Sequence, residues 1–221
     1  MLDSSNSINT RRLNKDSLFE TRLDGHEVNY AGTSDEQYNR GHYARLMDNF
    51  KAANTNNAHS NAIVLASGAG YGCFYLATNG FNGAIAGEEL DPVSVEVSEI
   101  LKNYFGHKEV QKRFMKKGLR SAKDLVLSMA SAGFPVKPLS QIEFSKKDIT
   151  QFDDNPRKFN LIVCDFIHTP EFLGEKGADD LSVRLYDLSK KDTILSYRYG
   201  TEKDKLERIG FREIAPSIFK R

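Results

Sequence analysis

A chain of 221 residues with 39% hydrophobic composition can bury one sizeable core and carry a terminal extension, so a single domain is expected. Its 31 Lys and Arg against 30 Asp and Glu leave a formal charge of +1, which gives no global drive toward nucleic acid or an anionic membrane. Two cysteines argue against a disulfide framework and for a reducing, cytoplasmic setting; the polar start lacks the pattern of a secretory signal, and no apolar run approaches a membrane span.

From Ser34 to Ala53, Tyr43, Leu46, Met47 and Phe50 recur at spacings of three and four and predict an amphipathic helix. Its Tyr38, Arg40 and Tyr43 either reach a ligand or simply pack. A polar connector from Lys51 to Asn61, with His59 read as solvated, leads into an apolar strand at residues 63–66. The strand runs straight into Ser67-Gly-Ala-Gly-Tyr-Gly72 and a helix. Gly68, Gly70 and Gly72 admit positive φ and let a ligand approach the main chain, and the helix start is expected to offer unpaired N–H groups. A second buried strand, Gly83-Ala-Ile-Ala-Gly-Glu-Glu89, places Glu89 twenty-one residues after Gly68, beside the glycine turn. A carboxylate there can accept hydrogen bonds from both hydroxyls of a ribose.

Asp91 as N-cap and Pro92 in the first turn predict a helix with Val93, Val97, Ile100, Leu101 and Tyr104 on its apolar face, ended by Gly106. Residues 107–140 form a helical insertion rich in Lys108, Lys112, Arg113, Lys116, Lys117, Arg120 and Lys123. That cluster is either a grip for an acidic partner or phosphate backbone, or an ordinary solvated face. A third strand is expected from Phe144 to Ile149 and a fourth from Lys158 to Asp165; a helix follows from Asp179 to Leu188, a fifth strand from Asp192 to Arg198, and a last helix from Glu202 to Ile209. The alternation argues for an open, mostly parallel α/β sheet with helices on both faces and the ligand at the carboxyl ends of the strands.

The glycine spacing decides the nucleoside class. A dinucleotide fingerprint begun at Gly68 needs glycine at position 73, where the chain has Cys73, so a nicotinamide enzyme is disfavoured. The G-x-G-x-G spacing, with Gly87-Glu-Glu89 after the second strand, resembles the class I S-adenosylmethionine-dependent methyltransferases, a Rossmann-like family. The resemblance implies that Ser67, Gly68, Ala69, Gly70 and Gly72 surround the cofactor, that Glu89 grips its ribose with Leu90 alongside, and that Asp148 and Ile149 meet its adenine. Asp165 then serves both cofactor and acceptor. The acid that opens the family's first motif is Ala66 here.

The segment Asp165-Phe-Ile-His-Thr-Pro-Glu171 leaves the fourth strand where the resemblance puts acceptor-site residues. Asp165 can orient or accept from an amine, and His168 can act as a base; either can also be an ordinary strand-end or loop residue. Tyr197 and Tyr199 either line an acceptor pocket or pack. The segment departs from the Pro-Pro-aromatic motif of amino-methylating nucleic-acid enzymes. It is loosely similar to the Dot1-type protein lysine methyltransferases through Gly68, Gly70, Gly72, Gly87, Glu89, Phe166, Pro170 and Glu171. The expected organisation is a 1–60 extension with a cofactor-covering helix and a 61–221 methyltransferase domain. The expected acceptor is a protein side chain, with RNA or a small molecule as alternatives, and a non-catalytic nucleoside-binding module as the reading from another class.

Overall fold

Parallel strands buried on both faces need continuous apolar runs, and the chain supplies them at residues 62–65 and 161–164. The computed structural model describes residues 20–23, 26–29, 36–54, 59–68, 70–108, 110–111, 132–133, 135–152, 154, 156–165, 169–198 and 203–221. A hairpin of β1 (Glu20–Leu23) and β2 (His26–Asn29) precedes α1 (Glu36–Ala53). Then come β3 (Asn61–Leu65), α2 (Tyr71–Thr78), β4 (Ala84–Glu89), α3 (Pro92–Lys102), β5 (Ile142–Lys146) and β6 (Phe159–Cys164). The remainder is α4 (Thr169–Leu188), β7 (Ser189–Tyr197), α5 (Lys203–Arg208), β8 (Arg212–Ala215) and β9 (Ile218–Lys220).

Seven strands form one sheet in the order β5-β4-β3-β6-β7-β9-β8. The five from β3 to β7 pair in parallel, while β9 pairs antiparallel with both β7 and β8. The last strand in sequence therefore sits inside the sheet, between β7 and β8. Strand order reverses between β3 and β6, which makes the crevice above their carboxyl ends the switch point where such sheets bind ligands.

Alternation along each strand sorts the core into two layers. Val64, Leu161, Val163 and Ile194 face one side with Tyr43, Leu46 and Phe50 of α1, Phe74 of α2 and Val97 and Leu101 of α3. Their neighbours Ile63, Leu65, Ile162 and Leu195 face the other side with Leu181 and Leu185 of α4 and Leu206 of α5. The predicted apolar face of α1 is the buried one, and Tyr43 is fully enclosed. α1 thus shares a core with β3, β6 and β7.

Three boundaries differ from expectation. β5 spans Ile142–Lys146 rather than Phe144 to Ile149. α4 begins ten residues before Asp179, because it joins two helical segments across a break at Gly174, which sits at the non-helical φ 68, ψ 174. β7 starts at Ser189 with no loop after α4. Its register with β6 shifts between Phe159 and Leu161, and Asp192 there takes φ 67. The end of α4 has no basic residue of its own; Lys158 Nζ donates to the Asp187 carbonyl and Arg221 Nη1 to the Tyr186 carbonyl at 2.9 Å, closing the helix from outside. The β1–β2 hairpin has no counterpart in the sequence reading: two strands of four residues carry too little alternation to register.

Candidate functional site

After β3 the chain turns at Ala66, Gly68 and Gly70, with φ of 49°, 52° and 87°, and enters α2. Left-handed backbone suits glycine but strains alanine by about 1 kcal/mol. A Cβ on Gly70 would lie 2.7 Å from Phe144 Cζ, and one on Gly72 would lie 2.9 Å from Tyr43 Oη and 3.0 Å from Val64 Cγ1. Close helix-to-strand packing therefore accounts for Gly72. Ala69 lies outside the described residues.

The turn is less open than expected. The Gly70 amide donates to the Ser67 carbonyl and the Ser67 amide to the Glu88 carbonyl, both at 2.9 Å, while the Gly68 amide donates to Glu89 Oε2 at 2.8 Å. The single Ser98 hydroxyl proton of α3 is shared between the Ser94 carbonyl at 2.8 Å and the Gly68 carbonyl at 3.1 Å. Among the loop's polar side chains, the buried Ser67 Oγ is left without a partner.

Glu89 ends β4. Its Oε1 accepts from the Leu90 and Asp91 amides at 2.8 and 3.1 Å. Burial pushes its pKa up; the three amide bonds pull the other way, and the Asp91 charge adds to the rise. Leu90 stands 59% exposed at the strand end. Asp91 caps α3 as predicted, its Oδ2 accepting from the Ser94 amide and hydroxyl at 3.1 and 2.7 Å.

Beside Glu89, the loop after β5 carries Asp148 and Ile149. Asp148 Oδ1 accepts from the Thr150 amide and hydroxyl at 2.9 and 2.8 Å, a tight local turn. The Ile149 carbonyl accepts from Arg184 Nη1 at 2.7 Å, and Arg184 Nη2 pairs with Glu88 Oε2 at 2.6 Å. Lys147 Nζ stands 3.5 Å from the other Glu88 oxygen. A buried arginine on α4 thus fastens the ends of β4 and β5 together. Glu89 and Leu90 end β4 and Asp148 and Ile149 follow its neighbour β5, with Ile149 buried in the α4-side core.

Asp165 lies at the end of β6, across the switch point, and is fully buried. Ser196 Oγ of β7 donates to its Oδ1, and His42 Nε2 of α1 is 2.7 Å from Ser196 Oγ. Burial pushes the Asp165 pKa up to about 6, opposed by the Ser196 hydrogen bond, the Arg198 charge, the Tyr43 hydroxyl and the Arg198 amide. Tyr43 Oη and Asp165 Oδ2 nevertheless fall short of hydrogen-bond geometry, and neither has a partner. Burial, then the Arg198 and Arg45 charges, push His42 down to about 3, so it is neutral at ordinary pH. Its 3.7 Å approach to Asp165 Oδ2 is therefore no ion pair.

Tyr197 is 4% exposed in the α4-side core, which settles it as a packing residue. His168, Tyr199 and the basic insertion from Lys112 to Lys123 lie outside the described residues, as do the side chains of Tyr38, Arg40, Phe166, Pro170 and Glu171. Cys73 and Cys164 are free and fully buried, and burial raises both thiols. Among the described residues no cluster of His, Cys, Asp or Glu suits a metal, and no helix is long and apolar enough to cross a membrane. Sequence reasoning missed His42, Ser196 and Arg184.

No protein-family model matches the chain, and no curated protein matches it. Solved structures do. The N-methyltransferase NodS from Bradyrhizobium japonicum WM9, in complex with S-adenosylhomocysteine, aligns over 99% of this chain and 99% of its own at a TM-score of 0.57 and 13% identity. The chain has the class I methyltransferase fold. The [4+2]-cyclase SpnF aligns over 95% of this chain and 69% of its own, at a TM-score of 0.50 and 10% identity. A methyltransferase fold thus comes with the sheet order and the glycine turn, but at these identities the likeness does not carry a reaction with it.

Proposed function

We propose that the chain transfers a methyl group from S-adenosylmethionine to a nucleophile held at the carboxyl end of β6. The observation that carries this is the pairing of Glu89 with the glycine turn on one side of the switch point and a buried, unshared Asp165 oxygen on the other. The residues fit the cofactor. Glu89 Oε2 takes one amide and so keeps acceptor capacity for a ribose hydroxyl. The orphaned Ser67 hydroxyl is a spare hydrogen-bonding group where the turn meets the crevice, and the exposed Leu90 offers an apolar face to adenine, with Asp148 and Ile149 beside it. When bound, the cofactor supplies an electrophilic methyl group on a sulfonium. The protein aligns the acceptor, excludes water and takes the proton that the nucleophile sheds.

Asp165 is the group for that proton, being buried and half-way to neutrality near pH 6. His168, three residues on, is a candidate base in the same segment. A protein amine is the favoured acceptor, supported by the loose likeness to lysine methyltransferases, with RNA and small molecules as alternatives; two free, buried thiols suit a cytoplasmic setting. A second reading, a nucleoside-binding module without turnover, draws support from Ala66 in place of an acid and from a turn whose amides are already satisfied by Glu89 and Ser67. Calorimetric titration with S-adenosylmethionine and S-adenosylhomocysteine, with NAD as control, tests both. Micromolar binding of the first two with methyl transfer to an amine supports the enzyme, binding without turnover on any acceptor supports the module, and no binding rejects both.

A further inference from the structure

One buried polar chain enters the proposed reaction at only one of its ends. His42, Ser196 and Asp165 are 1%, 0% and 0% exposed and come from α1, β7 and the end of β6. Ser196 has a single hydroxyl proton, and an ionised carboxylate can only accept. The Ser196 proton is committed to Asp165 Oδ1, which leaves Ser196 Oγ to accept, so the partner at 2.7 Å, His42 Nε2, is the N–H. With Asp165 ionised, the direction of both hydrogen bonds in the chain is thereby fixed. Arg198 and Arg45 both disfavour a second proton on His42, and the Asp165 charge faces the Tyr43 hydroxyl, so no neighbour reverses that direction.

The consequence falls on Asp165 Oδ2. It is buried without a hydrogen-bond partner, as is Tyr43 Oη, and Tyr43 Oη lies against Gly72 in the first turn of α2. An acceptor left dry and unpaired costs about 1–3 kcal/mol, a cost that is kept where a ligand will satisfy it. Aromatic rings surround the Tyr43 side of the pair: the centroids of Tyr71 and Tyr75 are 6.0 and 5.0 Å from that of Tyr43. A buried carboxylate oxygen left without a donor suits a nitrogen that brings an N–H and, as it is methylated, a positive charge.

We propose that His42 and Ser196 are positioning residues: resting on the methyltransferase reading above, they hold Asp165 so that Oδ2 alone meets the methyl acceptor and selects an amine bearing an N–H. The neutral amine is the reacting form: its lone pair forms the N–C bond as the C–S bond breaks, the C–S electron pair staying on sulfur, and nitrogen becomes cationic. The proton then leaving nitrogen goes to Asp165 Oδ2, while Oδ1 remains occupied by Ser196.

The test reads the Asp165 carboxyl directly. In protein carrying 13C-labelled aspartate, with D165N assigning the resonance, the carboxyl should titrate near pH 6. Removing the donor chain by Ser196→Ala or His42→Phe should raise that midpoint by about one pH unit, whereas Ser196→Thr and His42→Gln, which keep a donor, should restore it. Should either deletion fail to fold, Ser196→Gly and His42→Met are read the same way. An unmoved midpoint in either deletion overturns the assignment. Methylammonium and tetramethylammonium, equal in charge, separate selection by N–H from selection by charge. Methylammonium should shift the Asp165 resonance at about tenfold lower concentration, and equal or reversed preference overturns the selection rule. S-adenosylhomocysteine binding, followed by calorimetry on the same samples, reports separately on the methyltransferase reading. Its failure would remove the acceptor role of Oδ2 while the midpoints still decide whether His42 and Ser196 set Asp165.

Discussion

The Gly68 amide donates to Glu89 Oε2 at 2.8 Å across 21 positions of sequence, so the turn after β3 and the end of β4 are joined by the carboxylate that faces the crevice. One side chain thus shapes the turn, and in the proposed function the same carboxylate takes a ribose hydroxyl. Glu89→Ala should loosen the turn and weaken S-adenosylhomocysteine binding at least tenfold. Glu89→Gln should do nearly as much, because the amide must turn an NH2 toward either Gly68 or the Leu90 and Asp91 amides. Calorimetry reads both variants, and unchanged affinity in Glu89→Ala would remove Glu89 from the site.

The pH dependence of stability carries two opposed contributions. Asp165 has a folded pKa of about 6 against 3.8, so its contribution is full below pH 3.8 and is lost as pH rises through about 6. His42 has a folded pKa of about 3 against 6.5, so its contribution is full above pH 6.5 and is lost as pH falls toward about 3. Between pH 4 and 6 they offset one another. Relative to the parent, Asp165→Asn should gain stability as pH rises through this window, by up to about 3 kcal/mol, and His42→Gln should lose it. Urea midpoints at several pH values measure this, and parallel pH profiles for both variants would contradict the burial of the pair.

Arg184 should be costly to remove. Arg184→Met leaves Glu88 buried with only Lys147 at 3.5 Å, for a loss of about 3 kcal/mol. The paired change Arg184→Met with Glu88→Leu should recover most of it. Because Arg184 also holds the Ile149 carbonyl, the single variant should weaken cofactor affinity as well. A stability loss below about 1 kcal/mol in urea would show that the ion pair does not hold these loops.

Ala66 sits at φ 49, where glycine is unstrained. Ala66→Gly is expected to stabilise by roughly 0.5–1 kcal/mol by thermal or urea unfolding. Ala66→Asp puts back the acid that the resemblance expects, in a conformation aspartate tolerates better than alanine. It should tighten S-adenosylhomocysteine binding several-fold; weaker binding would mean that this turn is shaped for a ligand without that contact.

The parallel core was legible because β3 and β6 carry apolar runs at residues 62–65 and 161–164, and the glycine turn because Gly68 and Glu89 stand at a spacing that a β-α-β unit brings together. Asp91 and Pro92 announced α3 by local chemistry alone. The early turns of α4 were hidden by Gly174 and Gly177, which imitate a loop, and the start of β7 by Lys190, Lys191 and Asp192, which carry no apolar alternation. His42 and Ser196 lie 154 positions apart and meet through tertiary packing, so no window of sequence contains both. Their polar side chains sit on otherwise apolar faces, which was the one available sign.

The position of β9 bears on how the chain is made. A ribosome releases β8 before β9, yet β8 joins the sheet only through β9, which must slot in beside β7. The edge of β7 therefore stays bare until residue 220 has left the exit tunnel, and nascent chains stalled short of Ile218 should expose it. Such an open, apolar strand edge is a template for pairing with other chains. Truncation before β9 should accordingly produce aggregation during synthesis, even though the glycine turn, Glu89 and Asp165 have all been made long before.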